Sequence, residues 1–144
     1  METNENILNI YLADDDDADQ YLFKEALDEM KVNTKLTVAD SGIQLLDLLE
    51  NAISSLPDII FMDINMPVKN GFECLDELKQ KDHLKDIPVV MLSSSCLPES
   101  ERMALKLGAS KYICKPNTFN ALVAEIKDVL SMHGRLHNWI PIFG

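Results

Sequence analysis

The sequence predicts an α/β protein built on a five-stranded parallel sheet with helices over both faces. Three observations lead there. Short apolar runs end abruptly on polar or charged residues, helical periodicity fills the intervals between them, and the connections are short. Strands and helices alternating in this way require crossovers, which make neighbouring strands parallel. The clearest run is Pro57-Asp58-Ile59-Ile60-Phe61-Met62-Asp63-Ile64-Asn65-Met66-Pro67. It is too short for a typical helix, is stopped by a proline, and delivers one carboxylate, Asp63, where a buried strand emerges.

The first strand spans residues 7–13, apolar except for Asn9, and ends on Asp14-Asp15-Asp16-Asp17. Asp16 or Asp17 caps the helix that follows, in which Tyr21, Leu22, Ala26, Leu27 and Met30 recur at helical spacing up to about Lys31. Residues 35–39 alternate and are rich in β-branched side chains, giving a second, shorter strand. Ser41 caps a helix from Gly42 to about Ala52, with Ile43, Leu45, Leu46, Leu48 and Leu49 as its apolar face. After the third strand, Val68-Lys69-Asn70-Gly71 forms a loop before a helix through Phe72, Leu75 and Leu78.

Residues 79–86 make a charged connection to a fourth strand, residues 87–92, which ends on Ser93-Ser94-Ser95. Pro98 and Glu99 open the next helix and Gly108 closes it. Lys111-Tyr112-Ile113-Cys114 is the fifth strand, followed by Lys115-Pro116 and a last helix from about Thr118 to Met132.

At 144 residues the chain has the size of one domain able to bury roughly two thirds of its unfolded surface. No run of about 18 apolar residues is long enough to span a membrane, and the polar, acidic start lacks the features of a signal peptide. A cytoplasmic location is expected. Cys74, Cys96 and Cys114 are odd in number and have no close spacing, so they read as buried or half-buried free thiols rather than a disulfide framework or zinc site. The net charge of −11 argues against nucleic-acid binding, which needs basic patches. The first thirty positions hold ten acidic residues and, in Lys24, one basic residue. That asymmetry calls for a cation or a basic partner.

In parallel α/β sheets the working groups gather outside the carboxyl ends of the strands. Here those ends carry Asp14, Asp15, Asp63, Ser93 and Lys115. Carboxylates at roughly 4 Å in a partly shielded site repel by several kcal/mol per pair. A hard divalent cation such as Mg2+ neutralises them, because it takes oxygen ligands and works beside phosphoryl groups. An Asp nucleophile, a metal clamp, Lys115 and the Ser93 hydroxyl make a complete phosphoryl-transfer set.

Leu12-Ala13-Asp14-Asp15-Asp16, Met62-Asp63-Ile64-Asn65-Met66-Pro67 with Gly71, Met91-Leu92-Ser93-Ser94 and Tyr112-Ile113-Cys114-Lys115-Pro116 stand in order at fitting intervals. Together they resemble the receiver domain of two-component response regulators over nearly the whole chain. The resemblance implies a doubly wound, flavodoxin-like sheet of order 2-1-3-4-5 and phosphorylation of Asp63 by a histidine kinase or phosphotransfer protein. It implies Mg2+ held by Asp15, Asp63 and the Asn65 carbonyl, with Asp14 assisting. It also assigns Lys115 and Ser93 to the phosphoryl group, and Ser93 with Tyr112 to a switch in which the aromatic ring turns inward as the hydroxyl moves. Two residues depart from the family pattern: Val68 replaces the usual glycine after Met-Pro, and Ser94 replaces a smaller residue.

Other readings are weaker. Asp14 to Asp17 alone read equally as a solvated capping run, and Asp16, Asp17 and Asp19 are expected to be capping or surface residues. A calcium loop starting at Asp15 would place Gln20 where glycine is required and Ala26 where the bidentate Glu belongs. A flavin phosphate wants glycines and hydroxyls after the first strand, where this chain has four carboxylates.

The expected unit is therefore a stand-alone receiver over residues 1–132 without an output domain. It catalyses part of its own phosphorylation and signals by contacts with a downstream protein target; a homodimer is an open alternative. The competing hypothesis is a phosphorylation-independent binding module on the same fold. The tail, residues 133–144, carries Trp139 and other apolar groups and is expected to dock on its own domain or on a second copy. His133 and His137 read as surface residues.

Overall fold

The computed structural model describes residues 7–52 and 55–132; the expectations for the 133–144 tail lie outside them. Ten elements alternate along the chain: β1 (Leu8–Ala13), α1 (Asp17–Met30), β2 (Thr34–Ala39), α2 (Gly42–Glu50) and β3 (Ile59–Met62), then α3 (Gly71–Lys79), β4 (Val89–Ser93), α4 (Pro98–Lys106), β5 (Lys111–Cys114) and α5 (Phe119–Met132). The strands form one parallel sheet of order β2-β1-β3-β4-β5. Every residue of β3 and β4 is buried, whereas the edge strands β2 and β5 are mostly half-buried. This is why the two runs read as continuous apolar segments while β2 alternates.

Successive strand residues feed two separate cores. Tyr11, Ile60, Met62, Val89 and Met91 pack on one side with α2 and α3. Leu8, Ile10, Leu12, Ile59, Phe61, Val90 and Leu92 pack on the other with α1 and α5. On that second side α1 buries Phe23, Ala26, Leu27 and Met30, at the i, i+3, i+4, i+7 spacing of one helix face. The ring of Phe23 meets Phe61 edge-on, with centroids 4.9 Å apart. Tyr21 and Leu22, expected on this face, instead point outward at 62% and 41% exposure; Ala26, Leu27 and Met30 are buried as expected, and Phe23 supplies the first buried residue of the stripe. Ile43 of α2 is likewise exposed.

Caps fix where the helices start. Asp16 accepts from the amides of Ala18 and Asp19 at the head of α1, and Ser41 accepts from Gln44 at the head of α2. Asn70 and Glu73 form a reciprocal capping box on α3. Asn9, the polar exception in β1, ties the strand to the entry of β3. Its amide donates to Asp58 Oδ2 at 2.8 Å, and its carbonyl accepts from the Asp58 amide at 2.7 Å.

Two of the three cysteines depart from expectation. Cys74 is buried and free, but Cys96 and Cys114 are exposed and joined by a disulfide. Their Cα atoms are 5.3 Å apart, inside the range a disulfide requires. The pairing joins the β4–α4 loop to the end of β5, a proximity created by the sheet and invisible in a separation of 18 residues.

Candidate functional site

Because β1 and β3 are parallel neighbours, they deliver their following acids side by side. The Asp63 amide donates to the Ala13 carbonyl at 2.9 Å, and the Asp14 amide donates to Ala39 at 3.0 Å. Asp14 and Asp63 are only 2% and 6% exposed, while Asp15 is exposed. Each of the three offers a carboxylate oxygen within 4.8 Å of the others. A set of hard oxygen donors, partly shielded and partly open to water, fits a divalent cation that keeps some of its waters. The Asn65 amide donates to Asp63 Oδ1 at 3.2 Å, folding the loop after β3 back over the carboxylate.

Lys115 reaches this cluster from the far side of the sheet. Its Nζ lies 3.2 Å from Asp14 Oδ2 and 3.3 Å from Asp63 Oδ2. Burial alone would lower the ammonium's pKa, but the hydrogen bond to Asp19 and the charges of Asp14, Asp63 and Asp19 hold it above the usual lysine value. Asp14 behaves in the opposite way. Burial pushes its carboxyl up to about 6, with Asp63 adding to the rise and the Asp16 amide and Lys115 opposing it.

Asp19 corrects the expectation of a merely capping or surface residue. Its carboxylate makes the shortest of the three contacts to Lys115, at 2.7 Å. Only the helical turn that places Asp19 over the end of β1 brings it there, and its spacing from Asp14 carried no specific signal.

Ser93 ends β4 and is fully buried. Its hydroxyl accepts from the Ser95 amide at 3.1 Å, and its carbonyl accepts from the Lys115 amide at 2.7 Å. Tyr112 is half-buried and packs against the α2–α3 core. Its hydroxyl donates to the Ser95 carbonyl at 2.5 Å. The acids and Lys115 thus meet directly, whereas Ser93 and Tyr112 both engage the β4–α4 loop.

Two backbone features shape the rim. Val68 sits at φ 67° and is 88% exposed, so a β-branched residue occupies the left-handed region that a glycine would take without strain. At Gly71 a Cβ would collide with the Asp63 carbonyl and the Ile64 backbone. The missing side chain lets α3 start directly against the end of β3, with the Gly71 amide donating to Ile64 at 2.8 Å.

Fold and site together define a doubly wound α/β protein with a lysine-bridged carboxylate cluster at the carboxyl ends of its strands. The family described as the response regulator receiver domain matches residues 10–127, and the chain belongs to that family. It is 37% identical over 121 residues to the transcriptional regulatory protein CpxR of Escherichia coli (strain K12), covering 84% of this chain and 48% of CpxR. The chain thus spans about half the length of that relative. It is 30% identical over 126 residues to the response regulator Rcp1 of Synechocystis, covering 85% of this chain and 86% of Rcp1. The Mn2+-bound form of Rcp1 superposes with a TM-score of 0.77 at 30% identity, covering 86% of this chain and 92% of that one. The phosphorylated cyanobacterial phytochrome response regulator RcpA superposes with a TM-score of 0.80 at 32% identity, covering 88% and 93% of the two chains. The fold class and sheet order expected from the sequence are therefore both found. Among the described residues no helix is long and apolar enough to cross a membrane.

Proposed function

We propose that this receiver domain accepts a phosphoryl group on Asp63 from a histidine kinase or phosphotransfer protein, and signals through phosphorylation-dependent contacts with a downstream protein in the cytoplasm. The observation that carries the reading is the convergence of Asp14, Asp15 and Asp63 on one point, with the Lys115 ammonium 3.3 Å from Asp63. An Asp63 carboxylate oxygen attacks phosphorus while the bond from phosphorus to the donor nitrogen breaks, leaving an acyl phosphate on Asp63. Asp15, Asp63 and the Asn65 carbonyl would hold Mg2+, with Asp14 assisting. When bound, the ion supplies charge neutralisation at the phosphoryl oxygens. Lys115 stabilises charge on those oxygens, and the Ser93 hydroxyl turns from the Ser95 amide to donate to one of them.

That turn unseats the loop whose Ser95 carbonyl also receives Tyr112, and movement of the ring carries the change to the surface. The phosphorylated state of RcpA and the Mn2+-bound state of Rcp1 support a phosphoacceptor and divalent-metal role for the matching positions here. A phosphorylation-independent binding module would have no use for a partly buried, mutually repelling acid cluster, and is not favoured.

The test is incubation with acetyl phosphate and Mg2+, read by intact mass beside an Asp63→Asn variant. A metal-dependent phosphoryl adduct on the wild type alone is expected. No adduct, or equal adducts on both, would overturn the reading.

A further inference from the structure

The disulfide lies where the proposed switch must move. Ser93 pairs with Cys114 in the register of β4 and β5, so Cys114 is the strand neighbour of the switch serine. Tyr112 and Cys114 are two residues apart and project on one face of β5. From that face Tyr112 holds the Ser95 carbonyl and Cys114 holds Cys96. The β4–α4 loop is therefore pinned twice, once by a hydrogen bond and once covalently. Both sulfur-bearing residues are exposed, open to small thiols and disulfides. Cys74 is the contrasting case, buried and with its thiol pushed up to about 11 by that burial.

We propose that Cys96 and Cys114 form a reversible thiol–disulfide pair whose closed form fixes the β4–α4 loop against β5 and so restrains the Ser93 and Tyr112 switch. The regulatory consequence rests on the acceptor reading of Asp63; the disulfide and its hold on the loop do not.

A low-molecular-weight disulfide such as oxidised glutathione closes the pair. One cysteine thiolate attacks it, forming a mixed disulfide and releasing one small thiol. The second thiolate then attacks the protein sulfur and displaces the other small thiol. The two protein thiols lose two electrons and two protons overall, and both end on the two small thiols. Excess small thiol runs the exchange backwards. With the pair closed, Ser93 can reach a phosphoryl group only by dragging a cross-linked loop. The closed form therefore disfavours the phosphorylated arrangement by the work of that distortion.

The experiment holds the full chain in oxidised or reduced glutathione and then reads three quantities. Alkylation after denaturation counts thiols, amide exchange follows residues 94–97, and intact mass follows the phosphoryl adduct from acetyl phosphate and Mg2+. Oxidation is expected to leave Cys74 alone alkylated, to yield a Cys96–Cys114 linked peptide, and to slow exchange in the loop. It should also slow adduct formation about threefold, as for a modest shift between two arrangements. Reduction should restore both rates, and a Cys96→Ser variant, which can form only a mixed disulfide at Cys114, should give no linked peptide and the same loop exchange in both buffers.

Three alkylated thiols in both buffers, or identical loop exchange, would overturn the proposal, and equal adduct rates in the two forms would overturn its coupling to the site. Absence of adduct in both forms would instead count against Asp63 as acceptor, with alkylation and exchange still deciding the disulfide and its hold on the loop.

Discussion

Asp14 is held almost wholly out of water beside Asp63, and its carboxyl stays protonated up to a pH of about 6. Its folded pKa lies above the unfolded value of 3.8, so between those two pH values the native state binds more protons than the unfolded chain. Stability therefore falls as pH rises through that window and stays lower above it. Asp14→Asn removes the charge and keeps the shape. In chelator at pH 7 the variant should be more stable on the order of 2 to 3 kcal/mol, and urea melts at pH 4 should show that advantage gone.

Asp19 predicts a different effect, because it competes with Asp63 for Lys115. Losing a partly exposed pair of about 0.5–1 kcal/mol, Asp19→Asn should speed phosphorylation by acetyl phosphate about two- to fivefold, read by intact mass over time. At Val68 the left-handed backbone stores about 1–3 kcal/mol. Asparagine tolerates that conformation without glycine's entropic cost. Val68→Asn should raise the melting temperature by a few degrees, measured by calorimetry.

At the scale of elements, α1 is the helix most dependent on one side chain. Phe23 is 1% exposed and packs on Phe61 of β3, so Phe23→Ala should cost about 3–5 kcal/mol. Tyr21→Ala, two residues earlier and exposed, should stay within about 0.5 kcal/mol; paired denaturant curves check both. The same helix shows what the sequence could disclose. Strand ends were legible at Asp14, Asp63, Ser93 and Lys115 because a buried parallel strand stops sharply where polar residues begin. The buried residue of the first turns of α1 was not, since Tyr21 and Leu22 are as apolar as a core face demands and only contact with Phe61 selects Phe23. Contacts made across the sheet, Asp19 with Lys115 and Cys96 with Cys114, depend on strand order and loop path, and no local pattern encodes them. The capping box at Asn70 and Glu73 was legible in principle from its spacing, but was hidden inside what read as a loop.

For the whole molecule, a charge of −11 and three converging carboxylates make divalent cations a stability ligand. At ten times its dissociation constant Mg2+ should add about 1.4 kcal/mol, and NaCl of equal ionic strength should add much less, since screening acts weakly on buried charges. Thermal melts of the wild type and Asp63→Asn in both salts check this, with the variant losing most of the Mg2+ response. The two cores divide the labour of the fold. One face of the sheet anchors α1 beside the acids, and the other carries Tyr112 and the approach to α4.

Lys115 is the residue in which those two halves meet. Its ammonium is gripped by three acids, while its own amide hangs from the Ser93 carbonyl at 2.7 Å. One residue thus acts as a lever with its load at the tip and its fulcrum on β4. On the proposed reading, a rearrangement of charge at the acid cluster would be felt by the strand that carries the Ser93 hydroxyl, before that hydroxyl makes a bond of its own.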